Sequence, residues 1–377
     1  MSKIEEMIKE LCPKGVEKVK LGDVCNISRG KRVVRKDLET VGKIPVFQNS
    51  LVPLGYYSKS NCPAETTFVI SAGAAGVIGI SDTPFWAADD CFIVESTQME
   101  DKFIYNFLKT KEYYLQSKIR GGAIKRLAKE PLEALEIPLP PLAIQQEIVS
   151  VLDSFTTLID KMKKEVELRK KQMEVYREKL MSPQKDWEVK NLGEIGKFTK
   201  GTGLLKSDFR ETGFPCIHYG QIHTIYNTRT YITKSFCEDS YAQKLRKAKN
   251  GDLLIATTSE DVEACCKATV WLGDGEVAYS GDSHCFSHNQ NPEYVAYLFQ
   301  TEMFAKQKRM AATGAKVVRV SGESMATFTF SFPPLPIQQE IVRTLNTFES
   351  YISKLEKLIA LRQKQYEYYR EKLLTFE

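Results

Sequence analysis

Two stretches of this chain are near copies of each other. Residues 140–180 read PPLAIQQEIVSVLDSFTTLIDKMKKEVELRKKQMEVYREKL, and residues 333–373 read PPLPIQQEIVRTLNTFESYISKLEKLIALRQKQYEYYREKL. The offset is 193 with no gap, and 24 of the 41 positions are identical. A duplication this long constrains the architecture before any single residue's chemistry is considered.

Each copy opens as a helix should, after two prolines that cannot continue a helix upstream. Apolar residues then recur at steps of four and three. The first copy gives Ile144, Ile148, Val151, Phe155, Leu158, Met162, Val166, Met173, Tyr176 and Leu180. The second gives Ile337, Ile341, Thr344, Phe348, Tyr351, Leu355, Ile359, Tyr366, Tyr369 and Leu373. That spacing predicts a coiled-coil seam. Arg169 and Arg362 fall within it. Each either fixes register at a cost in stability or lays its stem along the seam with its head in water.

A helix of about 37 residues spans roughly 55 Å. Alone it would leave its whole seam in water, and the obvious partner is the other copy. Antiparallel pairing would place one globular domain at each end of a rigid rod. Ile148, Phe155, Arg169 and Tyr176 on one side, and Ile341, Phe348, Arg362 and Tyr369 on the other, are the expected pairing residues.

The segments before the helices repeat more faintly. Leu21-Gly22-Asp23 answers Leu192-Gly193-Glu194, Gly30 answers Gly201, and Ile44-Pro45 answers Phe214-Pro215. The interiors, 46–126 and 216–319, then diverge. Similar frames with unlike interiors suggest one scaffold tuned to two ligands. A chain of 377 residues accommodates two or three domains. The expected boundaries are 1–139, 140–182, 183–332 and 333–377. Short β-rich runs (67–71, 76–80, 252–258 and 268–272) precede helical stretches at 102–118 and 292–310, which predicts mixed α+β globules.

Net charge is only +5, which neither demands nor excludes a nucleic-acid partner, since a basic face can oppose an acidic one. The basic and polar groups are instead informative by position. The first domain has Arg29, Lys31, Arg32, Arg35 and Lys36 early and Arg120, Lys125 and Arg126 late, with Asn49, Ser50 and Tyr57 between. The second has Lys200, Lys206 and Arg210, then His218, Tyr219, Gln221 and His223, then Thr258, and finally Lys316 and Arg319. Arg and Lys suit phosphates and guanine edges, and Asn and Gln suit adenine edges. Gly121, Gly122 and Gly314 would let backbone approach a phosphate. These residues are the candidate DNA contacts.

The duplicated PLPPLAIQQEIV (138–149) and FPPLPIQQEIV (332–342), together with the LGDV (21–24) and LGEI (192–195) domain starts, resemble type I restriction-modification specificity subunits over nearly the whole chain. The resemblance implies an α+β fold with a pseudo-two-fold internal repeat. Two mixed α/β target recognition domains would be joined by two long antiparallel coiled-coil helices. It further implies that each domain reads one half of a split double-stranded DNA site through the major groove, and that the helices act as a ruler for the spacer. Two methyltransferase subunits and the restriction/translocase subunits would be partners. S-adenosylmethionine, ATP and Mg would be bound by those partners and no cofactor by this chain, which would be a non-catalytic recognition subunit in the cytoplasm.

Enzymatic motifs fail on spacing. Asn291-Pro292-Glu293-Tyr294 resembles the NPPY box of adenine methyltransferases, but it lacks the second proline and an accompanying Gly-rich cofactor loop. It reads better as a helix start with Asn at the N-cap and Pro at N1. GTGLLKS (201–207) departs from P-loop spacing. His284, Cys285 and His288 with Cys265-Cys266 match no zinc pattern, so no metal site is expected. Nine cysteines without CxxC read as reduced thiols. The acidic pairs Glu260-Asp261 and Asp89-Asp90 fit solvated turns, with acceptance from cytosine N4 as the alternative. No run of about 18 apolar residues exists to cross a membrane, and residues 1–11, with Glu5, Glu6 and Glu10 in a helical pattern, do not read as a signal peptide. Two rivals stand beside DNA recognition: a self-contained restriction or methylation enzyme, and a coiled-coil scaffold joining two protein ligands.

Overall fold

The computed structural model describes residues 3–119, 121 and 125–376. The chain forms two compact units: Met1–Lys164 with Glu356–Glu377 (unit 1), and Glu165–Leu355 (unit 2). Two long helices, Leu142–Leu180 and Leu335–Thr375, each contribute to both. They begin directly after Pro140-Pro141 and Pro333-Pro334, where the missing N–H groups cost no helical bond.

Within each unit the helix segments pack side by side. In unit 2 the Tyr176 ring lies 5.4 Å from Phe348, and the Arg169 guanidinium lies 5.6 Å from the Tyr351 ring. One residue number falls as its partner's rises, so the segments are antiparallel. In unit 1 Phe155 stacks on Tyr369 at 5.6 Å, and Ile144, Ile148, Leu152 and Ile159 share a core with Tyr366 and Leu374. Both seam arginines are half-buried with partners on their own helix: Arg169 bonds Glu165 and Gln172, and Arg362 bonds Gln365. Arg169 takes the stem-packed, head-out arrangement, whereas the Arg362 Nε is buried.

The seam departs from the spacing read in sequence. Leu158 and Tyr351 are 41% and 45% exposed, while their neighbours Ile159 and Ile352 are buried. The reason lies in the first turns, which bury an i, i+4 row (Ile144, Ile148, Leu152) in the core of the globular part. This advances the register by one residue at Leu152 and Ile159, while Val166 and Met173 stay where the spacing placed them. Leu152, Ile159, Val166 and Met173 then recur every seven residues, as do Leu345, Ile352 and, half-buried between Ile352 and Tyr366, Ile359.

A repeated glutamine ties each helix to its globular part. The Gln145 and Gln338 side chains are fully buried. Gln145 Oε1 accepts the backbone N–H of Glu100 at 2.9 Å, and its amide donates to the Pro140 carbonyl at 2.8 Å. Gln338 accepts the N–H of Asn291 at 3.0 Å and donates to the Pro333 carbonyl at 2.8 Å. Glu100 and Asn291 are themselves N-caps, of helices Asp101–Ser117 and Pro292–Leu298. The first glutamine of the IQQEIV motif thus joins the start of the long helix to the start of a domain helix. The helical stretch read over 292–310 is two helices, the second being Glu302–Ala311 with Thr301 as its cap.

The two units share one topology despite their divergent sequences. In unit 1 an antiparallel sheet runs in the order Asn26–Arg29, Cys91–Glu95, Thr67–Ile70, Ile78–Gly79. In unit 2 the order is Gly196–Lys200, Ser283–His288, Leu253–Ala256, Lys267–Trp271, with Arg229–Thr230 added at the edge. A second sheet is built on a parallel pair in both: Ile44–Phe47 beside Trp86–Ala87, and Phe214–Ile217 beside Val277–Tyr279. A two-stranded pair closes each base, Lys18–Lys20 with Glu136–Pro138 and Glu188–Asn191 with Thr329–Phe332. The LGDV and LGEI motifs are single helical turns after the first strand of those pairs, with Leu21 and Leu192 completely buried.

The matched glycines occupy one structural place. A Cβ on Gly30 would lie 2.2 Å from the Ala88 carbonyl, and one on Gly201 would lie 2.0 Å from the Ser280 carbonyl. Only a residue without a side chain permits that approach.

Candidate nucleic-acid interface

Unit 2 holds a groove of about 960 Å³. Its rim comes from the first strand of the large sheet (Lys197, Lys200), from Arg246, from the turn carrying Asp282, and from the bridged segments Thr258–Ser259 and Val318–Arg319. Three of the sequence candidates, Lys200, Thr258 and Arg319, meet here although they span 120 residues.

Backbone pairing fixes each position. Thr258 pairs with Arg319, which also exchanges both backbone hydrogen bonds with Thr313. Between them Gly314, at φ +99°, makes the tight turn that presents Lys316. Gly314 therefore serves chain geometry. Arg246 donates to the Lys200 carbonyl at 2.6 Å, which holds its guanidinium over the groove.

The polar groups of the groove are largely committed. His284, buried, shares a 3.0 Å hydrogen bond with the Thr257 hydroxyl. Burial and the nearby Lys200 charge lower its pKa, so the imidazole is neutral at neutral pH. Glu323 is held below the ordinary carboxylate range by its own backbone N–H and by Ser321. Thr258 donates to Asp282 at 3.3 Å.

The remaining unit 2 candidates divide. His223 adjoins the groove, its Nε2 lying 3.0 Å from the Thr258 carbonyl. His218 and Gln221 are buried and form a helix cap. Gln221 Oε1 accepts the His218 N–H, its amide donates to Ser235, and His218 Nδ1 accepts the Gly220 N–H. These hydrogen bonds build the loop. Tyr219 is half-buried with its ring 4.5 Å from His218. Lys206 is exposed, and Arg210, also exposed, pairs with Glu238 at 2.9 Å.

In unit 1 the equivalent place gathers Arg29, Asn49 and Arg126. Arg29 is exposed at the end of its strand and donates to the Asp89 carbonyl at 2.7 Å. Arg126 bridges Ala72 as Arg319 pairs with Thr258. The Asn49 backbone carbonyl accepts the Ala74 N–H at 2.9 Å, beside the same loop. Lys31, Arg32 and Arg35 are exposed on the segment after the strand, and Lys125 is exposed next to Arg126. Ser50 bonds the Val52 carbonyl, and Tyr57 meets Trp86 edge to face at 5.1 Å. Arg120 and Gly122 lie outside the described residues.

Sequence reading missed Lys197 and Arg246, and weighed His284 only as a metal ligand. Arg246 carries no local signal, because it reaches the groove through a strand pairing that the sequence does not announce. Among the described residues no cluster of three or more His, Cys, Asp or Glu is placed to hold a metal, and no helix is long and apolar enough to cross a membrane. Asn291 caps its helix by accepting the Tyr294 N–H at 3.1 Å, with Pro292 in the first turn.

Comparison with known proteins agrees with this frame. The family model described as "Type I restriction modification DNA specificity domain" matches residues 13–168 and 184–363. The chain is 29% identical to a Haemophilus influenzae chain assigned as a type I restriction enzyme specificity subunit, covering 96% of each. It is 28% identical to a type I restriction enzyme specificity subunit of Escherichia coli, covering 100% of this chain and 98% of that one. The fold matches a crystal structure of the S subunit of a type I restriction-modification system from M. genitalium, with a TM-score of 0.59 at 16% identity and 95% and 96% coverage. One family model lies over each half of a chain whose two units repeat one topology, and the chain belongs to the type I restriction-modification DNA specificity family.

Proposed function

We propose that the unit 2 groove and its unit 1 counterpart are the DNA-reading surfaces, each addressing one half of a bipartite site. The observation that carries this reading is the convergence of Lys197, Lys200, Arg246 and Arg319 on one polar groove. Cations at a rim neutralise phosphates and position the duplex, while neutral polar groups between them can reach base edges. The chain acts as a non-catalytic recognition subunit in the cytoplasm. S-adenosylmethionine, ATP and Mg belong to its partners.

Those partners are two methyltransferase subunits together with restriction/translocase subunits. A duplicated surface supports the pair. Leu361 and Tyr368 in unit 1 are 54% and 59% exposed, and their repeat equivalents in unit 2, Leu168 and Val175, are 62% and 67% exposed. Equivalent apolar surfaces suit two copies of one partner.

The test uses the specificity subunit assembled with its methyltransferase subunits. Replacing Lys200, Arg246 or Arg319 with Ala lowers the slope of log affinity against log salt by about 1 for each phosphate contact removed. Slopes unchanged in all three variants exclude the groove as the DNA surface. A scaffold for two protein ligands predicts no DNA affinity even in the complete assembly.

A further inference from the structure

Each unit places a carboxylate at the same point of the surface that carries its candidate cations. In unit 2 this is Asp282, on the turn between strands Val277–Tyr279 and Ser283–His288. Its carbonyl accepts the Thr257 N–H at 3.2 Å. In unit 1 it is Asp90, between Trp86–Ala87 and Cys91–Glu95, with its carbonyl accepting the Ser71 N–H at 2.7 Å. The turns share a second backbone bond. The Ser283 N–H reaches the Ser280 carbonyl at 3.1 Å, and the Cys91 N–H reaches the Ala88 carbonyl at 3.0 Å.

Among the described residues each carboxylate makes a single, long contact within the fold. Asp282 accepts from a threonine hydroxyl and Asp90 from a glutamine amide, each at 3.3 Å, and both residues are half-exposed. The surrounding sequences share little else. A negative group in a phosphate-binding surface weakens general affinity, so its place there calls for a specific donor. In the major groove the donors a carboxylate can accept from are the exocyclic amino groups of adenine and cytosine, whereas guanine and thymine present acceptors at the corresponding position.

We propose that Asp90 and Asp282 are specificity-determining residues, each accepting a hydrogen bond from the amino group of an adenine or cytosine in the half-site its unit reads. This rests on the DNA-reading surfaces proposed above. The two bases share the recognised chemistry, an N–H on a base edge.

Methylated sites are mapped by single-molecule sequencing for the complete methyltransferase assembly, wild type and with Asp282→Asn or Asp90→Asn. Asparagine keeps the shape and adds a donor, so one position of one half-site should widen to admit guanine or thymine. The other half-site should be unchanged, and the two variants should affect opposite halves. At that position, duplexes carrying purine for adenine or 2-pyrimidinone for cytosine should bind the wild type roughly tenfold more weakly. Whichever analogue weakens binding identifies the base. Asp282→Ala should show no such loss while melting like the wild type.

Base preference unchanged in both Asn variants overturns the proposal. So does an equal loss of methylation at all sites, or unfolding of both Asp282 variants, since either marks a structural role. A wild-type assembly that leaves no bipartite methylation pattern defeats the DNA-reading surfaces and this inference together. A clear wild-type pattern with unmoved variants defeats this inference alone.

Discussion

Gln145 Oε1 accepts the backbone N–H of Glu100 at 2.9 Å, so the first turn of a long helix closes the N-terminus of a domain helix. Gln338 repeats the contact with Asn291 in the other unit. Both glutamines are completely buried, so no water replaces what they supply.

Replacing Gln338 with Leu keeps the volume and removes the hydrogen bonds. The Asn291 N–H and the Pro333 carbonyl are left without that partner, at about 1–3 kcal/mol for each orphaned group. Urea unfolding should show the midpoint falling with little change in slope. Gln146→Leu, on an exposed neighbour, should leave it within about 0.5 kcal/mol.

Arg229 sits among Glu293, Glu349 and Asn346, joining the edge strand of the large sheet to the second long helix within unit 2. Burial works against its charge, but Glu349, Tyr297 and Glu293 together outweigh that cost and hold its pKa above the ordinary value. Arg229→Met leaves two carboxylates without their cation and should destabilise the protein by about 3–5 kcal/mol. Adding Glu293→Gln and Glu349→Gln should recover much of the loss. A triple variant no more stable than the single one would show that the cation does not act through these carboxylates.

His288 gives the fold a pH limit. Burial lowers its pKa from 6.5 to about 4. Its Nδ1 accepts the Gln290 N–H at 3.2 Å, and no partner meets its Nε2 among the described residues. The folded state therefore favours neutral imidazole. The stability tied to this is fully present above pH 6.5 and is lost progressively as pH falls toward about 4, in total about 3 kcal/mol. His218 and His284 shift in the same direction, chiefly through burial. Unfolding midpoints at pH 7.5 and pH 5 should diverge for the wild type and converge partly for His288→Gln. An equal drop in both would assign the pH dependence to other groups.

The candidate site was partly legible for a clear reason. Lys200 stands next to the matched frame glycine Gly201, so its position follows from a scaffold visible as a duplication, whereas Arg319 closes a divergent interior and is legible from its residue type alone. Gln221 looked like an adenine reader because its residue type fits, yet the fold spends its amide on His218 and Ser235. Residue type states what a side chain can bond, and only packing states what it already does.

The sequence alone determined the duplicated helices, their proline-marked starts, their apolar faces and the two-domain plan. These are properties of local covalent geometry and periodicity, which every window of the chain carries. The tertiary structure decided the seam register near the start of each helix, because burying Ile148 and Leu152 against the globular core shifted it there by one residue. It also decided that Arg246 joins Lys200, and that Asp90 and Asp282 stand at one place in two unlike sequences. Those relations arise from strand pairings between residues far apart in the chain, where no local preference specifies the partner.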